Sequence, residues 1–254
     1  DEVQWDPKTG YVDLEALRGV DAIIHLAGAG VGDKRWNKKY KAEILNSRLM
    51  GTTTIAHAVT ELSPQVFISA SAIGWYGESG NRAVVESDKC GDDFLAAVCR
   101  EWEAAADLAT NTRTVKIRTG LVLDPTGGAL GKMLPLFRFG LGGKLGNGKQ
   151  WWSWITLHDL IRAISFLLEN NISGPVNLTA PNPVTNQEFT SALARALHRP
   201  ALFPAPAIGL KVALGGFSSE ILGSKKVVPQ VLTEAGFEWD YPHITNALTA
   251  LVSE

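Results

Sequence analysis

The chain is poor in sulfur: its 254 residues include two cysteines, Cys90 and Cys99, and two methionines. A chain of this length buries a large core without covalent cross-links. Two thiols therefore fit a reduced, cytoplasmic setting better than a disulfide framework. Neither sign of charge is in excess. The 24 basic and 26 acidic residues leave a net charge of −2, so no overall field favours nucleic acid or an acidic membrane surface. No apolar run approaches the roughly 20 residues of a membrane span. The opening Asp1-Glu2-Val3-Gln4 is neither basic nor greasy, unlike a secretory signal. The histidines at 25, 57, 158, 198 and 243 and the two cysteines show no metal-ligand spacing. A G-x-S-x-G nucleophile elbow and an internal repeat are absent as well.

What is present is an alternation of buried strands and amphipathic helices. With 45% hydrophobic and 20% charged residues the composition is that of an ordinary globular protein. Val20 to Gly28 is a short apolar run, rich in β-branched residues and stopped by glycine, and reads as a buried strand. A helix is predicted from Lys39 to Glu61, with Ile44, Leu45, Leu49, Ile55 and Val59 on its apolar face. Gln65 to Ser71 is a second strand, Asp93 opens a helix through Ala106, and Val115 to Arg118 is a third strand. Trp154 to Thr156 leads into a helix ending near Leu168, and Pro175 to Leu178 is a fourth strand. Helices of crossover length between strands predict a doubly wound parallel α/β sheet. Beyond Ala180 helices dominate (Asn186 to Leu197, Ala207 to Leu214), with a short strand at Lys226 to Val228. Residues 1–125 and 151–180 are thus expected to form the doubly wound domain. Residues 126–150 and 181–254 are expected to form a smaller, mixed α/β domain.

Several segments carry two readings each. Leu26-Ala27-Gly28-Ala29-Gly30 ends a strand, where an open parallel sheet binds ligands and where small residues admit a cofactor; it is equally a tight turn. Ser69 to Gly77 places Ser69, Ser71 and Tyr76 at a second strand end, suited either to polarising a substrate oxygen or to satisfying backbone groups. Glu43 and Arg48 are either surface charges or contacts to ribose and phosphate. Asp33-Lys34-Arg35-Trp36 is either a polar loop with an aromatic anchor or a lid. The glycines at 127–128 and 142–148 lack phosphate-loop spacing, which favours turn formation. Trp151, Trp152 and Trp154 suit packing more often than a substrate pocket. His158-Asp159, at a helix start, is expected to be a cap.

Taken together and in order, these residues resemble a family. His25-Leu26-Ala27-Gly28, Lys34-Arg35-Trp36-Asn37, Ser47-Arg48 and Ser71 to Gly77 match signatures of the YfcH-like epimerase family of extended short-chain dehydrogenases. So do Gly91 to Phe94, Trp102 to Ala105, Arg118 to Leu123, Gly131 to Pro135 and the tail Val228 to Phe237. The resemblance implies a Rossmann-like fold, NADP or NAD as cofactor, and a small-molecule substrate of the nucleotide-linked sugar type. It places Leu26, Ala27, Gly28, Glu43, Arg48, Ser69, Arg118 and Val122 along the cofactor, and it permits a homodimer.

Two departures from that family matter. Extended dehydrogenases carry Tyr-x-x-x-Lys on the helix after the serine strand, and here the matching positions are Leu95 and Cys99. Neither replaces a phenol or an ammonium, so Ser71 and Tyr76 become the candidate catalytic groups, with a cationic neighbour needed beside the phenol. The alternative is a protein that binds NADP(H) without catalysis, as a sensor or scaffold. The second departure is the missing glycine-rich first turn. Val3-Gln4-Trp5 resembles the family's third strand, and the expectation is an upstream segment with a strand, G-x-x-G-x-x-G and a helix. A gene with a stop directly before Asp1 would refute it.

Overall fold

The computed structural model describes residues 2–253. In chain order the elements are β1 (Trp5–Asp6), β2 (Tyr11–Val12), β3 (Ala22–His25), α1 (Lys38–Leu62), β4 (Val66–Ala72), β5 (Ala83–Val84) and α2 (Phe94–Ala106). There follow β6 (Arg113–Thr119), β7 (Leu121–Leu123), α3 (Gly128–Arg138), β8 (Trp151–Trp152), β9 (Trp154–Thr156), α4 (Leu157–Glu169) and β10 (Gly174–Leu178). The remainder is β11 (Val184–Thr185), α5 (Asn186–Ala196), α6 (Ala207–Leu214), α7 (Ser218–Leu222), β12 (Lys226–Val227), α8 (Gln230–Glu234) and α9 (Ile244–Val252). The chain forms two compact units. One comprises Asp1–Gly77, Lys89–Arg118 and Phe166–Val176; the other comprises Glu78–Asp88, Thr119–Ser165 and Asn177–Glu254. None of the helices among the described residues is long and apolar enough to cross a membrane.

The first unit is organised by a sheet of order β10-β6-β4-β3. β3 and β4 pair in parallel, from Ala22 opposite Val66 to His25 opposite Ser69. β4 reads Val-Phe-Ile-Ser-Ala-Ser-Ala and is buried along almost its whole length, as a parallel strand with neighbours on both sides requires. Crossovers through α1 and α2 carry the chain from β3 to β4 and from β4 to β6, which makes the architecture Rossmann-like. Asn37 caps α1 by accepting from Tyr40 N, and Asp93 caps α2 by accepting from Ala96 N. The two helices meet at the buried Thr52, where Trp102 Nε1 donates to Thr52 Oγ1 at 2.8 Å. Arg113 donates to the carbonyls of Leu167, Leu168 and Ile172 at 2.8–3.0 Å, closing the carboxyl end of α4. Val3-Gln4-Trp5 does not behave as a strand of this sheet. Trp5–Asp6 pairs antiparallel with Tyr11–Val12 in a separate ribbon, because the turn at Gly10 (φ 74°) returns the chain on itself and pairs its backbone locally.

The second unit is built on one apolar core of Leu123, Leu130, Leu134, Phe137, Trp154, Phe189, Leu193 and Leu248. β7 and β9 pair in parallel, with Val122 opposite Ile155. α5 begins with a capping box between Thr185 and Glu188. The glycine-rich stretch is a packing device. A Cβ on Gly143 would stand 2.1 Å from Phe203 O, and one on Gly142 would stand 2.6 Å from the Phe137 ring, so the strands of chain there touch backbone to backbone. Trp154 is fully buried, Trp152 meets Phe189 edge to face, and Trp151 Nε1 donates to Asn81 at 2.9 Å.

Asp159 is not the cap expected at the start of α4. Thr156 holds that role, its hydroxyl accepting from Asp159 N at 3.0 Å. The Asp159 carboxylate, fully buried, instead accepts from the backbone of Asp240 and Tyr241, both at 3.0 Å. Thr156 is one residue ahead of the helix, where an N-cap belongs, whereas Asp159 is already in its first turn.

Candidate functional site

Two groupings in the first unit gather the residues that the sequence singled out. The first is the loop after β3. Ala29 N donates to Ser47 Oγ at 3.0 Å, Arg48 Nη1 donates to Ala29 O at 2.8 Å, and the Tyr40 hydroxyl donates to Gly30 O. Trp36 Nε1 donates to Val31 O at 2.8 Å and its ring meets Phe94 edge to face, so the 33–36 segment is an aromatic anchor. Three residues of α1 therefore hold the Gly28 to Gly30 loop. Gly28 is small for a reason: a Cβ there would lie 3.3 Å from Arg48 Cγ.

Arg48 carries more than a structural load. Its guanidinium lies 4.7 Å from the Trp102 ring centroid and is half-buried. Burial pushes it below its ordinary value. No carboxylate pairs with it among the described residues; it donates to the carbonyls of Ala29 and Ile44. A desolvated cation without a counter-charge at a strand's carboxyl end is suited to an anionic ligand. Glu43 takes no part in this grouping: its carboxylate pairs with Lys34 at 3.0 Å on the surface. Leu26 is exposed at the strand end.

The second grouping joins the ends of β4 and β6 through α2. The Ser71 hydroxyl donates to Glu103 Oε1 at 2.6 Å. Arg118 grips both oxygens of the same carboxylate, Nε to Oε1 at 2.8 Å and Nη2 to Oε2 at 2.9 Å, and its Nη1 donates to Tyr76 Oη at 3.0 Å. The Trp75 ring covers the guanidinium at 3.9 Å. All four polar residues are buried. Burial pulls the Arg118 guanidinium down, but the Glu103 carboxylate and the Tyr76 phenol more than offset it, leaving Arg118 above its ordinary value. Arg118 is thus a cationic neighbour of the Tyr76 phenol. Glu103 is the member sequence reasoning missed. Ser69, next to this grouping on β4, is fully buried, with only a long bond to Ala70 O at 3.4 Å. Val122 lies in the second unit, on β7.

Leu95 and Cys99 are packed in. A Cβ on Gly74 would meet Leu95 Cβ at 3.3 Å and Cys99 Sγ at 3.4 Å, and Cys99 Sγ lies 3.6 Å from Ala72 O. The helix face that faces this turn is therefore closed by apolar contact. In the second unit His158, Asp159 and Asp240 bring ligand-type atoms within 4.8 Å of one another. Arg162 sits between the two carboxylates, 3.2 Å from Asp159 and 3.1 Å from Asp240, so a guanidinium already supplies the positive charge there.

His25, on β3, is buried and meets the Trp5 ring edge to face, and its Nε2 has no hydrogen-bond partner among the described residues. Burial lowers its pKa from the usual 6.5. The unfolded chain then takes up a proton near pH 6.5 that the folded protein refuses. Stability is complete above that pH and falls as the pH drops through the interval down to the folded pKa. Denaturation of parent and His25→Leu between pH 5 and 8 should show this loss in the parent and a flatter profile in the variant; parallel profiles would refute it.

The parallel sheet with its crossover helices defines a Rossmann-like α/β protein. Residues 10–98 match the model of the NAD dependent epimerase/dehydratase family, and residues 205–251 match a domain of unknown function, DUF1731. The epimerase family protein ML0860 of Mycobacterium leprae is 41% identical over 253 residues, covering 98% of this chain and 82% of that protein. An Arabidopsis thaliana relative, the chloroplastic homolog of epimerase family protein SDR39U1, is 39% identical over 242 residues, covering 93% of this chain and 70% of that one. The crystal structure of human epimerase family protein SDR39U1 with NADPH superposes with a TM-score of 0.90 at 33% identity, covering 94% of this chain and 86% of the human one. The chain belongs to this epimerase family.

Proposed function

We propose that the chain is an NADP(H)-dependent oxidoreductase or epimerase acting on a small polar substrate of the nucleotide-linked sugar type. The observation that carries this reading is the buried Ser71–Glu103–Arg118–Tyr76 cluster at the ends of two sheet strands. It supplies a phenol, a hydroxyl and a charge-matched guanidinium where ligands of such sheets bind. The similarity to the NADPH-bound human relative supports the choice of cofactor.

The residues at the β3 end fit a dinucleotide. Arg48 offers an unmatched cation, and Leu26, Ala27 and Gly28 offer a small, partly apolar surface. When bound, the nicotinamide donates or accepts a hydride. Within the cluster the Ser71 hydroxyl hydrogen is committed to Glu103, which leaves the Ser71 oxygen lone pairs to accept from a substrate hydroxyl. The Tyr76 phenol gives or takes the proton at the reacting oxygen. Arg118 Nη1, already on Tyr76 Oη, meets the negative charge left when that proton departs. In this reading residues 1–125 and 151–180 serve the cofactor, Ser69 among them, and residues 126–150 and 181–254 serve the substrate.

A second reading rests on the packed Leu95 and Cys99: a protein that binds NADP(H) as a sensor or scaffold and catalyses nothing. Turnover of NADPH against a panel of carbonyl and nucleotide-sugar compounds separates the two. At least one substrate should be consumed, with Tyr76→Phe lowering kcat by about 10²–10⁴-fold and Ser71→Ala by less. Binding without turnover, unaltered by either substitution, would establish the second reading.

A further inference from the structure

The balanced net charge averages over an uneven distribution. Between Pro125 and Leu157, and again between Phe189 and Ser219, the sequence contains no aspartate or glutamate, while Lys132, Arg138, Lys144, Lys149, Arg195, Arg199 and Lys211 fall within those two stretches. The fold of the second unit brings the stretches together. Arg199 Nε donates to Arg138 O at 3.2 Å, Phe203 N to Gly142 O at 3.2 Å, and Ala205 N to Lys144 O at 2.9 Å. α6 follows directly.

The two acid-free stretches also expose apolar side chains; the next carboxylate along the chain, Glu220 of α7, is paired with Lys225 at 2.8 Å. Phe139 is 81% exposed, Ile208 78%, Leu202 75% and Val212 69%, with Leu141 and Phe203 exposed beside them. No residue of α6 is buried, and its sequence is Ala-Ile-Gly-Leu-Lys-Val-Ala-Leu. Ile208 and Val212 stand four residues apart, on one side of that helix. Side chains this exposed project from the surface. A protein partner is met by a flatter patch with mixed charges around its rim. Projecting apolar groups among cations of one sign match a lipid interface, where the apolar groups enter below the headgroups and the cations meet anionic lipid.

We infer that the face formed by the end of α3, the 139–145 and 199–205 segments and α6 is a peripheral docking surface for an anionic membrane. The occupant is an anionic phospholipid bilayer, with Phe139, Leu202, Ile208 and Val212 inserting shallowly and Arg138, Arg199 and Lys211 on the headgroups. The helix lies on the bilayer and does not cross it.

Co-sedimentation of the full chain with vesicles tests this. Phosphatidylcholine vesicles containing about 30% phosphatidylserine should retain at least about tenfold more protein than phosphatidylcholine alone, with the difference lost in about 0.5 M salt. Ile208→Ser combined with Val212→Ser should abolish binding at an unchanged melting temperature, because neither side chain is buried. Arg138→Gln with Lys211→Gln should remove the preference for phosphatidylserine. Equal retention on both vesicles, no retention on either, or variants that bind like the parent would overturn the inference. So would a dimer in solution that Ile208→Ser with Val212→Ser splits into monomers, since a second copy would then cover this face.

Discussion

Replacing Glu103 by alanine is expected to destabilise the protein by about 3–5 kcal/mol, the range for removing one partner of a buried ion pair. The substitution leaves Arg118 buried without its bidentate carboxylate and Ser71 without its acceptor. Both losses fall on nearly buried groups, so most of the desolvation penalty of the guanidinium is felt. In a chain of this size that corresponds to a fall in melting temperature on the order of 10 °C. Glu103→Gln keeps the shape and one acceptor oxygen and should cost less, about 1–3 kcal/mol. The diagnostic comparison is Glu103→Leu with Arg118→Met. Removing both charges relieves the uncompensated one, so the pair should recover part of what Glu103→Leu alone loses. Urea denaturation of the set measures this. A Glu103→Ala protein as stable as the parent, or a double variant losing the sum of the two singles, would show that the ion pair does not hold this part of the unit together.

Glu103 also marks the limit of what the sequence could disclose. In Arg100-Glu101-Trp102-Glu103 it reads as one of several helical surface charges, and Glu101 is indeed exposed. Nothing local shows that one glutamate turns inward to an arginine fifteen residues away. That pairing is made by the crossover, and only three-dimensional packing reveals it. Strands were legible because Val66 to Ile68 and Ala22 to Ile24 are short β-branched or aromatic runs bounded by polar or glycine signals. Helix α2 was legible because Asp93 is a good cap before an apolar period. α3 was not. Gly128, Gly131 and an internal Pro135 argue against a helix in isolation, and burial of Leu130, Leu134 and Phe137 in the second core outweighs that propensity. The family was readable from ordered short matches along the whole chain, and the doubly wound sheet from the alternation of strands with crossover-length helices. The placement of Glu43 was not, because a charged side chain's partner depends on a loop conformation: Lys34 reaches it across the 33–37 turn.

Arg48 is the residue whose loss should most affect cofactor binding. No carboxylate pairs with its half-buried guanidinium among the described residues, and an anion placed against such a cation gains affinity because part of the desolvation is already met in the fold. Arg48→Met keeps an unbranched apolar stem beside Trp102 and removes the charge. One charge-assisted hydrogen bond is worth about 1.5–3 kcal/mol, so the Kd for NADPH should rise by about 10- to 150-fold. The same variant loses the bond to Ala29 O, and a loosened loop would weaken any dinucleotide. Measuring NADPH and NADH by fluorescence titration on parent and variant separates the effects. A loss for NADPH well above that for NADH places the guanidinium at the 2′-phosphate. Equal losses place it on a group that both cofactors share, or on the loop alone, and Arg48→Lys then decides between these: a retained charge restores affinity only if the anion, and not the bond to Ala29, is what matters. Unchanged affinity for both cofactors would remove Arg48 from the binding site and leave it a brace for the Gly28 loop.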